Sequence, residues 1–105
     1  MKLTDIASVI RSKNAGPFLL TLDIMFKDRY IYETFKKAGL MTKERAADIY
    51  GIKVDDIQSV TFFDPADAVK ITFTRPIVSG GFGDTDIYGA QQHVPLINWE
   101  FSLNL

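Results

Sequence analysis

The chain of 105 residues contains no cysteine. Disulfides, thiolate zinc sites and cysteine nucleophiles are excluded together, and the composition fits a reducing compartment. There is one histidine, so any imidazole chemistry rests on His93 alone. Neither sign of charge is in excess: 12 Lys and Arg stand against 13 Asp and Glu, a net charge of -1. A nucleic-acid or anionic-membrane surface needs a basic stripe, and the two signs are interspersed here instead. No apolar run approaches the roughly 18 residues of a membrane span. The amphipathic start Met1-Lys2-Leu3-Thr4-Asp5 does not read as a signal peptide. The expectation is a cytoplasmic protein that binds neither nucleic acid nor membrane.

What the chain does contain is the balance of a globular protein, 47% hydrophobic and 24% charged. Its length suits one domain over residues 1–105, large enough to bury a core without covalent staples. Thr4 as N-cap, Ile6, Val9 and Ile10 at helical spacing, and Arg11 and Lys13 before Asn14-Ala15-Gly16-Pro17 predict a helix over 5–13. Alternation of Leu20, Leu22, Ile24 and Phe26 predicts a strand over 17–26. Leu19 and Met25 on its other face imply that this side is partly covered too. Asp28 and Gly39 bracket a second helix with Ile31, Phe35 and Ala38 as its stripe, and Thr42 and Gly51 bracket a third. Residues 57–63 read as a strand, Asp64-Pro65-Ala66-Asp67 as a tight turn, and 69–74 as a half-buried antiparallel strand. Ile97, Trp99, Phe101, Leu103 and Leu105 alternate with polar residues and predict a last strand. Adjacent Phe62 and Phe63 must face opposite ways, so one of them leaves the main core.

The sum is an α+β protein. A strand, a helical crossover, a second strand and a hairpin place helices on one face of a mostly antiparallel four-stranded sheet. A two-layer sandwich, ferredoxin-like or related, is the expected architecture.

Chemistry concentrates in residues 79–93. Gly80, Gly81, Gly83 and Gly89 lie there with Asp84, Asp86, Gln91, Gln92 and His93. Glycines let backbone approach a ligand closely, and long connections without regular structure tend to carry function. The known motifs fail. Gly81-Phe82-Gly83 lacks the third glycine of a dinucleotide fingerprint, and no Gly-Lys-Ser/Thr is present. Asp84-Thr85-Asp86 begins like a calcium loop, but Tyr88 and Pro95 stand where ligands are required. Asp84, Asp86 and His93 could meet around a divalent cation, yet short acids in such loops ordinarily cap their own backbone; no metal and no cofactor are assigned. Ser79, His93 and Asp84 can be written as a nucleophile set, but no nucleophile elbow frames Ser79.

A second cluster, Arg11, Lys13 and Asn14, could hold a phosphate or carboxylate, although a helix C-terminus presents carbonyls, which disfavour anions. The combined candidate site is therefore Arg11, Lys13 and Asn14 with Gly81, Gly83, Asp84, Asp86, Gln91 and His93, conditional on the two segments meeting in space. Its ligand would be a small anionic metabolite.

The runs Leu3-Thr4-Asp5-Ile6-Ala7, Arg11-Ser12-Lys13-Asn14-Ala15-Gly16 and Ser79-Gly80-Gly81-Phe82-Gly83-Asp84-Thr85-Asp86-Ile87-Tyr88-Gly89-Ala90-Gln91-Gln92-His93 resemble a family of small bacterial proteins known as a domain of unknown function. Asp5-Ile6-Ala7, Arg11-Ser12, Gly16 and Thr42-x-Glu44-Arg45-Ala46-Ala47 are more distantly similar to the ferredoxin-like C-terminal domain of acyclic-terpene-utilisation proteins. The basic-and-glycine loop of that domain is only approximated by Lys13-Asn14-Ala15-Gly16. The resemblance implies a fold and a partner: a larger protein acting on acyl-thioester or hydroxy-acid metabolites. It supplies no catalytic residues.

Two functions follow as expectations. One is an accessory or small subunit that associates with a larger metabolic enzyme or with itself. The other is a stand-alone small enzyme or ligand-binding protein working through residues 79–93.

Overall fold

The computed structural model describes residues 1–16, 18–74 and 94–105. Strands β1 (Ala7–Gly16) and β2 (Leu19–Phe26) are followed by helices α1 (Arg29–Ala38) and α2 (Lys43–Tyr50). Strands β3 (Ile57–Phe63) and β4 (Ala68–Thr74) come next, then a short helix α3 (Val94–Asn98). The sheet order is β1-β2-β4-β3, and every neighbouring pair is antiparallel. The crossover through α1 and α2 thus links two strands that run the same way, and β4 folds back between them. The α+β two-layer sandwich with a four-stranded antiparallel sheet is as expected.

Two elements differ from the sequence reading. The helix predicted over 5–13 is strand β1, preceded only by a 3-10 turn over Leu3–Asp5. The strand predicted over 97–105 is not formed: Val94–Asn98 is helical, and the rest makes only an isolated bridge, Lys2 with Glu100. Backbone bonds between Met1 and Phe101, 3.0 and 2.9 Å, hold this tail to the other end of the chain.

The remaining elements form where local chemistry places them. Asp28 accepts a hydrogen bond from the Ile31 amide at 2.8 Å and starts α1; Gly39, at φ 66°, ends it in the left-handed region that suits glycine. Thr42 accepts from the Arg45 amide at 3.1 Å and starts α2, which Gly51 ends at φ 64°. Met41 and Ala46, both buried, staple its entry.

Register decides what each face of the sheet carries. Ile10, Ile24, Val69 and Phe62 form one cross-strand row. Ser12, Leu22, Ile71 and Val60 form the next, and Asn14, Leu20, Phe73 and Ile57 the third. The helices cover this side. Phe35 of α1 packs on Phe26 with ring centroids 4.8 Å apart, Tyr32 meets Phe62 at 6.1 Å, and Tyr50 of α2 meets Phe73 at 5.0 Å. Trp99 and Phe101 of the tail close over Phe35 edge-on at 6.3 and 5.9 Å. Of the Phe62–Phe63 pair, Phe62 joins the core and Phe63 is 56% exposed on the other side. Among the described residues, no helix is long and apolar enough to cross a membrane.

Candidate functional site

The side of the sheet away from the helices carries a different set of rows. Val9, Met25, Ala68 and Phe63 form an apolar row; Arg11, Asp23, Lys70 and Thr61 form an ionic one beside it; Lys13, Thr21, Thr72 and Ser59 follow. Strand period two requires this: the partners of the core residues point to the opposite face. Among the described residues, no helix packs on these rows.

Sheet twist and the β3–β4 connection shape the face into a concavity of about 390 Å³. Arg11, Lys13 and Lys70 supply three cations, and Asp23 one carboxylate. Met25, Phe63, Ala66 and Ala68 give it an apolar end. The Asp23 side chain is only 12% exposed and accepts a hydrogen bond from Arg11 Nε at 3.2 Å. This contact orients the guanidinium through its Nε edge. Lys13 and Lys70 have no ion-pair partner among the described residues. The volume lies at the small end of ligand-sized sites.

Of the residues nominated from sequence, Arg11 and Lys13 meet in this concavity. They do so as alternate residues of a strand, not as the last turn of a helix. Asn14 pairs with Leu20 and so belongs to the helix-covered side, apart from both cations. Gly81, Gly83, Asp84, Asp86, Gln91 and His93 lie outside the described residues. Asp23, Met25, Phe63 and Lys70 were not nominated. The signal for Asp23 was present: a carboxylate in the middle of the apolar run Leu19–Phe26 needs a partner.

A second polar cluster closes the β3–β4 turn from the helix side. The buried Tyr32 hydroxyl donates to Asp64 Oδ1, and Lys36 Nζ donates to the same oxygen at 3.0 Å. Arg29 donates to the Asp64 carbonyl at 2.8 Å and pairs with Asp67 Oδ1 at 2.9 Å. Asp67 itself adopts φ 51°, ψ 47°, a left-handed conformation tolerated by aspartate. The bonds from Tyr32 and Lys36 hold the Asp64 carboxyl below its ordinary range. Burial, reinforced by Asp64, pushes the Tyr32 phenol up; burial likewise pushes up Tyr50 against the Leu96 backbone. Asp67 Oδ1 is buried and meets Arg29 as an ion pair without a formed hydrogen bond, while Tyr32, Lys36 and Arg29 all bond to Asp64, so the cluster acts as a staple between α1 and the hairpin.

One pH dependence follows. Both phenols ionise less readily folded than unfolded, so their contribution is complete below the ordinary tyrosine value of 10. It is lost as pH rises beyond that value. Chemical denaturation at stepped alkaline pH should show stability falling above about pH 10, and less steeply in Tyr32→Phe.

No curated protein and no solved structure matches the chain. A family model does, over residues 3–100, and the chain accordingly belongs to the domain of unknown function DUF4387.

Proposed function

We propose that the protein is an accessory subunit of a larger metabolic enzyme and meets it through the sheet face that no helix covers among the described residues. The observation that carries this reading is the one-sided sandwich. Helices cover one face, while the other presents Val9, 38% exposed, and Phe63, 56% exposed, beside three cations. Isolated exposed apolar residues are ordinary, but Val9 and Phe63 end an apolar row, with half-buried Met25 and buried Ala68 between them, that flanks an oriented ionic row, and this combination supports an interface. Self-association through the same face is disfavoured, because two copies would oppose Arg11, Lys13 and Lys70 to like charges. The similarity to the C-terminal domain of acyclic-terpene-utilisation proteins supports a partner in acyl-thioester or hydroxy-acid metabolism.

The test is co-expression of the tagged chain with a large protein of the acyclic-terpene-utilisation type from the same genome. Size exclusion with light scattering should show one complex, and Phe63→Asp, at an exposed position, should release the small chain without unfolding it. Separate elution of the two proteins, or a complex indifferent to Phe63→Asp, would overturn the reading.

A further inference from the structure

We infer that the concavity on the uncovered sheet face binds a small organic carboxylate with a short aliphatic chain. The inference shares with the accessory-subunit reading only the choice of working surface. It concerns the isolated chain.

Charge sets the first half of the ligand. Three cations face one carboxylate across Arg11, Lys13, Lys70 and Asp23. Asp23 engages Arg11 through Nε, and no other hydrogen bond of this guanidinium is formed among the described residues. A guanidinium oriented by its own carboxylate can present its terminal N–H groups to a second one, a planar acceptor that matches their fork. Lys70 sits directly across Asp23 in the ladder, and Lys13 lies one step along the same face of β1. Both remain available as point charges. Asp23 alone cannot neutralise the three.

The apolar end sets the second half. Met25 and Ala68 are neighbours in the ladder and continue the floor, with Phe63 and Ala66 rising at the β3 side. This row lies immediately beside the ionic one, so a ligand whose head meets Arg11 and Lys70 must lay its chain along Met25, Ala68 and Phe63. A bare inorganic anion would leave that row wet, and a neutral alcohol would leave the cations unpaired. Burial of a methylene contributes up to about 0.8 kcal/mol. Partial burial of four extra methylenes should therefore favour hexanoate over acetate by about tenfold.

Isothermal titration of the isolated chain with hexanoate, acetate, hexanol and inorganic phosphate tests this. Saturable one-to-one binding of hexanoate is expected, with acetate, hexanol and phosphate each about tenfold weaker. Lys70→Gln should weaken hexanoate about three- to fivefold, the scale of one solvent-exposed charge contact. Asp23→Asn keeps an amide oxygen that can accept from Arg11 Nε and removes the one carboxylate lining the concavity among the described residues, so it should tighten binding, a gain that misfolding cannot mimic. Equal binding of phosphate and hexanoate would overturn the inference in favour of a plain anion patch. Absence of saturation, or affinity unmoved by both variants, would overturn it outright. Failure of the co-expression test leaves these results standing, and failure here leaves the partner test standing, so the two are separable.

Discussion

Replacing Phe35 with alanine should lower stability by about 3–5 kcal/mol, the range for deleting a fully buried aromatic ring. Phe35 is 0% exposed. It is the ring on which three others from two separate parts of the chain converge: Phe26 of β2 lies beneath it, and Trp99 and Phe101 of the C-terminal tail lie edge-on against it. Removing it leaves a cavity that these large rings cannot close by small shifts, and it loosens the tail as well as α1. For a domain whose whole stability is about 5–15 kcal/mol, the melting midpoint should fall by about 15 °C or more. Thermal denaturation followed by circular dichroism reads this directly. A shift of only a few degrees would mean that the tail is not seated on the core.

Ile71→Ala and Lys70→Ala, one position apart on β4, should behave as opposites. Ile71 is 0% exposed, between Leu22 and Val60 under the helices. Its truncation should cost about 2–5 kcal/mol. Lys70 points to the uncovered face, is exposed and has no ion-pair partner among the described residues. Its truncation should change stability by no more than about 0.5 kcal/mol. Urea denaturation of the two variants measures the asymmetry of the sheet. Comparable losses at both positions would show that something packs on the second face of the free chain.

Much of this architecture was legible in the sequence because it is enforced locally. Asp28 and Gly39, Thr42 and Gly51, and Asp64-Pro65 punctuate α1, α2 and the β3–β4 turn with side-chain chemistry that needs no tertiary context. Strands β2 and β4 carry period-two apolar rows deep in the sheet. Strand β1 was hidden for a physical reason. It is an edge strand, its inward positions after Ile10 are Ser12 and Asn14, and the apolar residues at its start, Ile6 just before it and Val9 and Ile10 within it, happen to fit a helical spacing. Its conformation is set by pairing with β2, which no local window contains. The C-terminal alternation reported something real but not pairing. Trp99, Phe101 and Leu103 turn toward the core, while Glu100, Ser102 and Asn104 are exposed. One-sided burial of an extended tail leaves the same signature as a strand.

The candidate site was legible in part for the same reason. Arg11 and Lys13 stood out as cations beside a turn, but read on a helix they had no common face with Asp23 or Lys70. Only the ladder β1-β2-β4 brings positions 11, 23 and 70 into one row. The sheet order, fixed by the return of β4 between β2 and β3, is therefore what assembles the ionic row. The apolar row beside it follows automatically, two residues along each strand.

Amide chemical shifts during a hexanoate titration test most directly whether the bare face is where this protein works. Perturbations should concentrate at residues 11, 13, 23, 25, 68 and 70, with α1 and α2 unmoved. Shifts confined to the helical layer, or a spectrum that does not change, would contradict the account.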